Sequence, residues 1–255
     1  ASGNKTELKG IWVGKFETTG STTTPTVKPG VSSLTNITVA NMYSTGKLFR
    51  STDYITSNGI NQSDSYMMKN IEWGAVAYLK QSNYGLGITD ITINNNSSYY
   101  TGGGTGTSYK TNTGQSTTGN ITGVYDMSGG AGEYVASYIT GKLGSSGFDS
   151  TTKAQYDVKY FDKYNSLSNE NSYQYRILGD ATAEVGPFKN YADGDGISRY
   201  HSGWYGDQTI FVDSTYPWFS RGGRYTYGVL GGSFCFVRYT GETDADGTFR
   251  IVLAP

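Results

Sequence analysis

Apolar residues fall into short groups separated by Gly, Ser, Thr and Asn, and their spacing changes along the chain. In "GIWVGKFETTG", residues 10–20, Ile11, Trp12, Val13 and Phe16 are mixed with polar residues at a strand-like period and closed by turn residues. This predicts an early, half-buried strand. The following "STTTPTVKPGVSS" holds Pro25 and Pro29, which remove backbone donors, and reads as a loop. Over 39–49, Val39, Met42 and Tyr43 recur at i, i+3 and i+4, so a first helix is expected despite Gly46. The best helix pattern is "NIEWGAVAYLKQS", residues 70–82. Asn70 is placed to cap it, Glu72 lies at the positive end of its dipole, and Trp73, Val76 and Ala77 share a face that should enter the core.

Residues 97–118, "SSYYTGGGTGTSYKTNTGQSTT", have no apolar period, which predicts an exposed, mobile loop. Apolar residues return with Val124, Tyr125 and Met127, followed by a glycine turn and an expected short helix over 133–138. The final third carries most of the remaining aromatics between turn residues, a pattern of short strands. No fixed-period repeat and no proline-rich or charged linker divides the 255 residues, so a single domain is expected over 1–255.

Composition narrows the function. Twenty basic and 21 acidic residues give a net charge of −1 with no dense Lys/Arg run, which argues against a nucleic-acid partner. The 36 glycines indicate many tight turns, while 36% hydrophobic and 15% aromatic residues are enough for a packed core. A single cysteine, Cys235, excludes an intramolecular disulfide and a thiolate metal cluster. No apolar run approaches the roughly 20 residues that span a bilayer. The start, "ASGNKTELKG", has no signal-peptide pattern and is expected of a chain trimmed from a longer protein.

Candidate chemistry is sparse. "DGDG" at 193–196 and "DADG" at 244–247 resemble fragments of calcium loops but lack the spaced glutamate that completes one, and read as Asp-Gly turns. His201 can be grouped with Ser202 and Asp207, yet no GxSxG elbow accompanies them. Cys235 lies between Phe234 and Phe236 without a nearby His or second Cys to lower its pKa. Asp126 and Glu133 read as local hydrogen-bond partners and caps rather than an acid/base pair. The glycine runs at 102–106 and 141–147 follow no hydrophobic strand, so a nucleotide site is not expected. No catalytic residue, metal or cofactor is assigned.

The closing stretch, "GGRYTYGVLGGSFCFVRYTGETDADGTFRIVLAP", sets a regular frame of Gly and Phe around very unlike fillers. A core would select one kind of filler and an active site a few particular ones.

Four stretches in order, "GIWVGKFETT", "NIEWGAVAYL", "TGVYDMSGGAGEYV" and "WFSRGG" with "GTFRIVL", resemble the C-type lectin fold of the formylglycine-generating enzyme type, from about residue 10 to 253. The resemblance implies an α+β domain of that fold. Enzymes of that family oxidise with a cysteine pair soon after "RGG", whereas here "RYTYGVLGG" follows, and Gly130 and Gly132 stand where the family usually has Asn and Trp. Another branch of the fold comprises the variable proteins of diversity-generating retroelements. Its frame is matched by Trp218, Phe219, Arg221, Gly222, Gly223, Tyr225, Gly228, Gly232, Phe234, Phe236, Gly241, Phe249, Arg250, Val252 and Leu253.

That branch implies a variable ligand-binding region over about 218–255. Its implied contact positions are Arg224, Thr226, Tyr227, Leu230, Ser233, Cys235, Val237, Arg238, Tyr239, Thr240, Asp244 and Asp246. Tyr and Arg suit such a surface, since they supply large area at modest entropic cost. Strand alternation should turn Ser233, Cys235 and Val237 outward if Phe234 and Phe236 face the core. The implied partner is a protein or glycan on a host or neighbouring cell, and the implied place is a phage particle or bacterial surface. A divergent oxidase and a non-diversified module of a tail or surface fibre are the alternatives.

Overall fold

The computed structural model describes residues 10–51, 63–149, 159–164, 190–191, 200–202 and 204–254. They form an α+β structure. Helix α1 (Val39–Leu48) and helix α2 (Asn70–Gln81) bear out the two helix expectations. No helix among the described residues is long and apolar enough to cross a membrane.

The start of α2 differs from expectation. Asn70 is the first helical residue rather than its cap, and its side-chain amide donates to Tyr164 Oη at 3.0 Å. The free backbone donors are met instead by Glu72, which accepts from the Lys69 N–H at 2.9 Å, and by Asp162, which accepts from the Ile71 N–H at 2.9 Å.

The expected early strand breaks into β1 (Trp12–Val13) and β2 (Thr19–Gly20), the latter pairing with β3 (Pro25–Thr26). After β4 (Asp64–Met67), the helix expected over 133–138 is instead strand β5 (Gly132–Ile139). All eight residues of β5 are buried because both of its faces are covered. Val135 and Ile139 join one core cluster with Trp73, Val76, Phe219 and Phe236, whereas Tyr134, Ala136 and Tyr138 join a second with Val39, Met42, Trp218 and Phe249. A strand buried on both faces loses the polar half of its alternation and imitates an apolar helix segment. α2 and α1 therefore serve opposite faces of the sheet.

The large sheet continues with β6 (Asp162–Tyr164), β7 (Asn190–Tyr191), β8 (Tyr200–Ser202), β9 (Gln208–Thr209), β10 (Trp218–Gly222), β11 (Gly232–Tyr239) and β12 (Gly247–Phe249). Its order is β12-β5-β10-β11-β9-β8-β7, with β6 pairing β5 in parallel. The last strand, β13 (Ile251–Ala254), leaves this sheet and lies between β1 and β4 in a three-stranded one.

Arg250 sits between β12 and β13 and is fully buried. Its guanidinium donates to both Glu133 carboxylate oxygens, to Gly14 O at 2.7 Å and to Tyr125 O at 2.9 Å. Two more buried carboxylates lie nearby. Glu17 accepts from the Ala131 N–H and Ser33 Oγ, and Asp126 accepts from Gly102 N and Asn94 Nδ2. Burial pushes the Glu133 carboxyl up to about 7 against the pull of Arg250. Burial, together with Asp126 and Glu133, also holds Glu17 well above the usual carboxylate range.

The segment 97–118 is not the open loop its composition predicts. Short 3-10 turns at Thr101–Gly103, Ser108–Lys110 and Thr113–Gln115 organise it, and Gln115, Ser116 and Thr117 are buried. Tyr109 packs edge-on against both Phe16 and Tyr125. Side-chain and backbone hydrogen bonds replace apolar periodicity here, which is why the sequence pattern misses the order.

Candidate functional site

The framework of the closing segment is built from Arg221 outward. Residues of β10 and β11 pair antiparallel, with Phe219 opposite Arg238 and Arg221 opposite Phe236. The buried Arg221 guanidinium crosses to β11, donating to Cys235 O and Ser233 O at 3.0 Å each, and also donates to the Asn70 side chain on α2. It lies 5.2 Å from the Trp73 ring centroid, so this frame arginine ties β11 to the helix beneath it. Gly222 and Gly223 follow with φ of +79° and +72°, a region that side chains strain. A Cβ on Gly223 would also stand 2.9 Å from Gly231 Cα and from the Tyr227 ring. The chain can therefore double back tightly through the 3-10 turn Gly228–Leu230 before entering β11.

That return shapes an open cleft of about 290 Å³ lined by Gln208, Ile210, Tyr216, Tyr227, Val237, Arg238 and Tyr239. Tyr227 and Tyr239 meet hydroxyl to hydroxyl at 3.2 Å. Burial raises both phenol pKa values, so both stay protonated at neutral pH. Arg238 lies 5.3 Å from the Tyr216 ring centroid and pairs with Asp213. Beside the cleft, Arg224 lies 5.0 Å from the Tyr239 ring centroid and forks to Asp244 and, at 2.9 Å, Asp246. Tyr99 donates to the same Asp246.

Of the twelve implied contact positions, Tyr227, Val237, Arg238 and Tyr239 line the cleft, and Arg224, Asp244 and Asp246 form the adjoining fork. Thr226 is exposed and Leu230 and Thr240 are half-buried, all outside the cleft lining. The expected outward display of Ser233, Cys235 and Val237 is corrected: all three are buried, as are Phe234 and Phe236. Alternation does put 233, 235, 237 and 239 on one face of β11. The 224–231 return brings Tyr227 onto Tyr239 across that face, and β9 flanks it, so only Val237 and Tyr239 reach the cleft. Asp244 and Asp246 are held by Arg224, and among the described residues no three His, Cys, Asp or Glu side chains are grouped to hold a metal ion.

Cys235 is a packed thiol. Burial, reinforced by the neighbouring Asp207 carboxylate, pushes its pKa far above the ordinary thiol value. A thiol reagent at pH 8 is expected to leave Cys235 unmodified in the folded chain and to label it fully in denaturant, as intact mass would show. The His201 backbone pairs with Asn190 and Thr209, but its side chain and the 193–196 stretch lie outside the described residues. Asp207, the third member of the sequence-level Ser-His-Asp grouping, is buried and accepts the Phe234 N–H at 2.9 Å, which gives it a structural task.

Sequence reasoning did not find Gln208, Ile210, Asp213 and Tyr216. They enter through the parallel β9–β11 pairing, with Phe236 opposite Thr209, a contact between distant segments that no local spacing announces. No protein-family model matches the chain, and no curated protein matches it.

Proposed function

We propose that this chain is a non-catalytic recognition protein of C-type lectin fold, of the kind diversified by retroelements, and that its C-terminal surface binds a protein or glycan on a host or neighbouring cell. Display on a phage particle or bacterial surface accompanies that reading. One observation carries it: the frame residues Trp218, Phe219, Arg221, Phe234, Phe236 and Arg250 are buried, while the fillers Arg224, Tyr227, Arg238, Tyr239, Asp244 and Asp246 gather at a single open cleft and its rim. A stiff interior with unlike, partly exposed aromatic and charged residues over it is how a recognition surface tolerates exchange. The divergent-oxidase alternative draws no support from Cys235, whose thiol is buried and held protonated.

Saturation mutagenesis of 218–250, scored by the folded fraction of displayed protein, tests the division. Thr226, Tyr227, Arg238 and Thr240 are expected to accept most residue types, and Arg224, Asp244 and Asp246 to accept most types when they change together. Trp218, Arg221, Phe236 and Arg250 are expected to accept very few, and Ser233 and Cys235 only small ones. Equal tolerance at all of these positions would remove the basis of the proposal. Sequencing the gene's neighbourhood tests diversification separately, since a near-copy of the 3′ end differing at adenines is expected.

A further inference from the structure

The cleft has a chemistry of its own. Three tyrosines face it, Tyr216, Tyr227 and Tyr239, and the exposed Tyr216 ring makes one wall. At about 290 Å³ it lies at the lower limit for small-molecule sites, so it suits one inserted side chain or one sugar ring rather than an extended ligand.

Charge favours the side chain. At the cleft and the adjoining fork two guanidiniums, Arg224 and Arg238, stand against three carboxylates, Asp213, Asp244 and Asp246. Both guanidiniums are already engaged, Arg238 by Asp213 and Arg224 by two aspartates at once, so the rim keeps an excess of negative charge. The tyrosine faces moreover already attract guanidinium groups within the chain, at 5.0 Å over Tyr239 and 5.3 Å over Tyr216. An aromatic wall beneath a net-negative rim attracts a cation both through the ring quadrupole and through Coulomb attraction.

Building on the recognition reading, we infer that the cleft receives a basic side chain, Arg or Lys, from a protein partner. The partner's cation packs on Tyr216 and Tyr239, with the Asp244–Asp246 pair, which Arg224 alone balances only by half, supplying the opposite charge.

The test is to pan a random peptide library on the immobilised chain and, in parallel, to probe a panel of neutral oligosaccharides. Peptides enriched in Arg or Lys are expected. Replacing that residue with Gln should weaken binding about tenfold, and so should Tyr216→Ala or Asp246→Asn in the chain, with affinity falling as salt rises. Two results would overturn the inference while leaving the recognition reading intact. One is a set of cleft-dependent peptides without basic residues, and the other is an oligosaccharide whose binding is lost in Tyr216→Ala. If no peptide and no oligosaccharide depends on the cleft, both readings fall together.

Discussion

Replacing Arg250 with alanine is expected to cost about 3–5 kcal/mol, the usual penalty for removing one partner of a buried ion pair. Glu133 would lose its bidentate partner, and the Gly14 and Tyr125 carbonyls would each lose a donor. Glu17 and Asp126, which Arg250 also stabilises as anions, would lose the positive charge at their centre. The loss carries a pH signature whose sign follows from the direction of these shifts. A carboxyl raised in the folded state binds more protons folded than unfolded, so its contribution is present below the unfolded pKa and is lost as pH rises through the folded one. For Glu133 that window runs from the ordinary carboxyl value of 4.5 to about 7. Urea titrations from pH 5 to 8 should show wild-type stability falling with pH, and a steeper fall extending to higher pH in Arg250→Ala. A variant with an unchanged pH slope would mean that the three carboxylates do not depend on this guanidinium.

Trp218→Ala is expected to cost about 3–5 kcal/mol and, in a chain of this size, on the order of 10 °C in Tm. The indole is fully buried, stacks on Tyr138 at 4.9 Å and on Phe148 at 5.7 Å, and donates to Leu143 O at 2.9 Å. Its ring also fills the space into which any side chain at Gly241 would extend, 2.7 Å from a Cβ there. Alanine would leave a cavity, and the Leu143 carbonyl would keep only the longer bond from the Ser146 N–H at 3.2 Å. Trp218→Phe should recover part of the stacking but not the hydrogen bond, and so fall between the two in thermal unfolding. A Tm within about 2 °C of wild type for Trp218→Ala would mean that this second core cluster contributes little to stability.

The helices were legible because their information is local: Val39 and Met42, and Trp73, Val76 and Ala77, recur at helical spacing and are buried where that spacing put them. β5 was not, since "GEYVASYI" serves two cores and shows no alternation. The frame-and-filler division was visible in the sequence, and of the frame aromatics Trp218, Phe219, Phe234, Phe236 and Phe249 are interior while Tyr225 is half-buried. Which fillers reach solvent was not, because it depends on the fold-back of 224–231 over β11 and on the distant β9. The internal order of 97–118 was likewise hidden, as it rests on Asn, Ser and Thr side chains that look the same in an open loop.

The Arg224 fork bears on how such a surface can explore new specificities. Arg224 and its two aspartates are all filler positions, separated by some twenty residues and joined into one unit. If those positions are rewritten as proposed, their outcomes are not independent draws. A new residue at 224 strands two acids, and a new residue at 244 or 246 leaves the guanidinium with half its anchorage. The useful repertoire is then smaller than the product of choices at each position, and surviving variants should change at 224, 244 and 246 together.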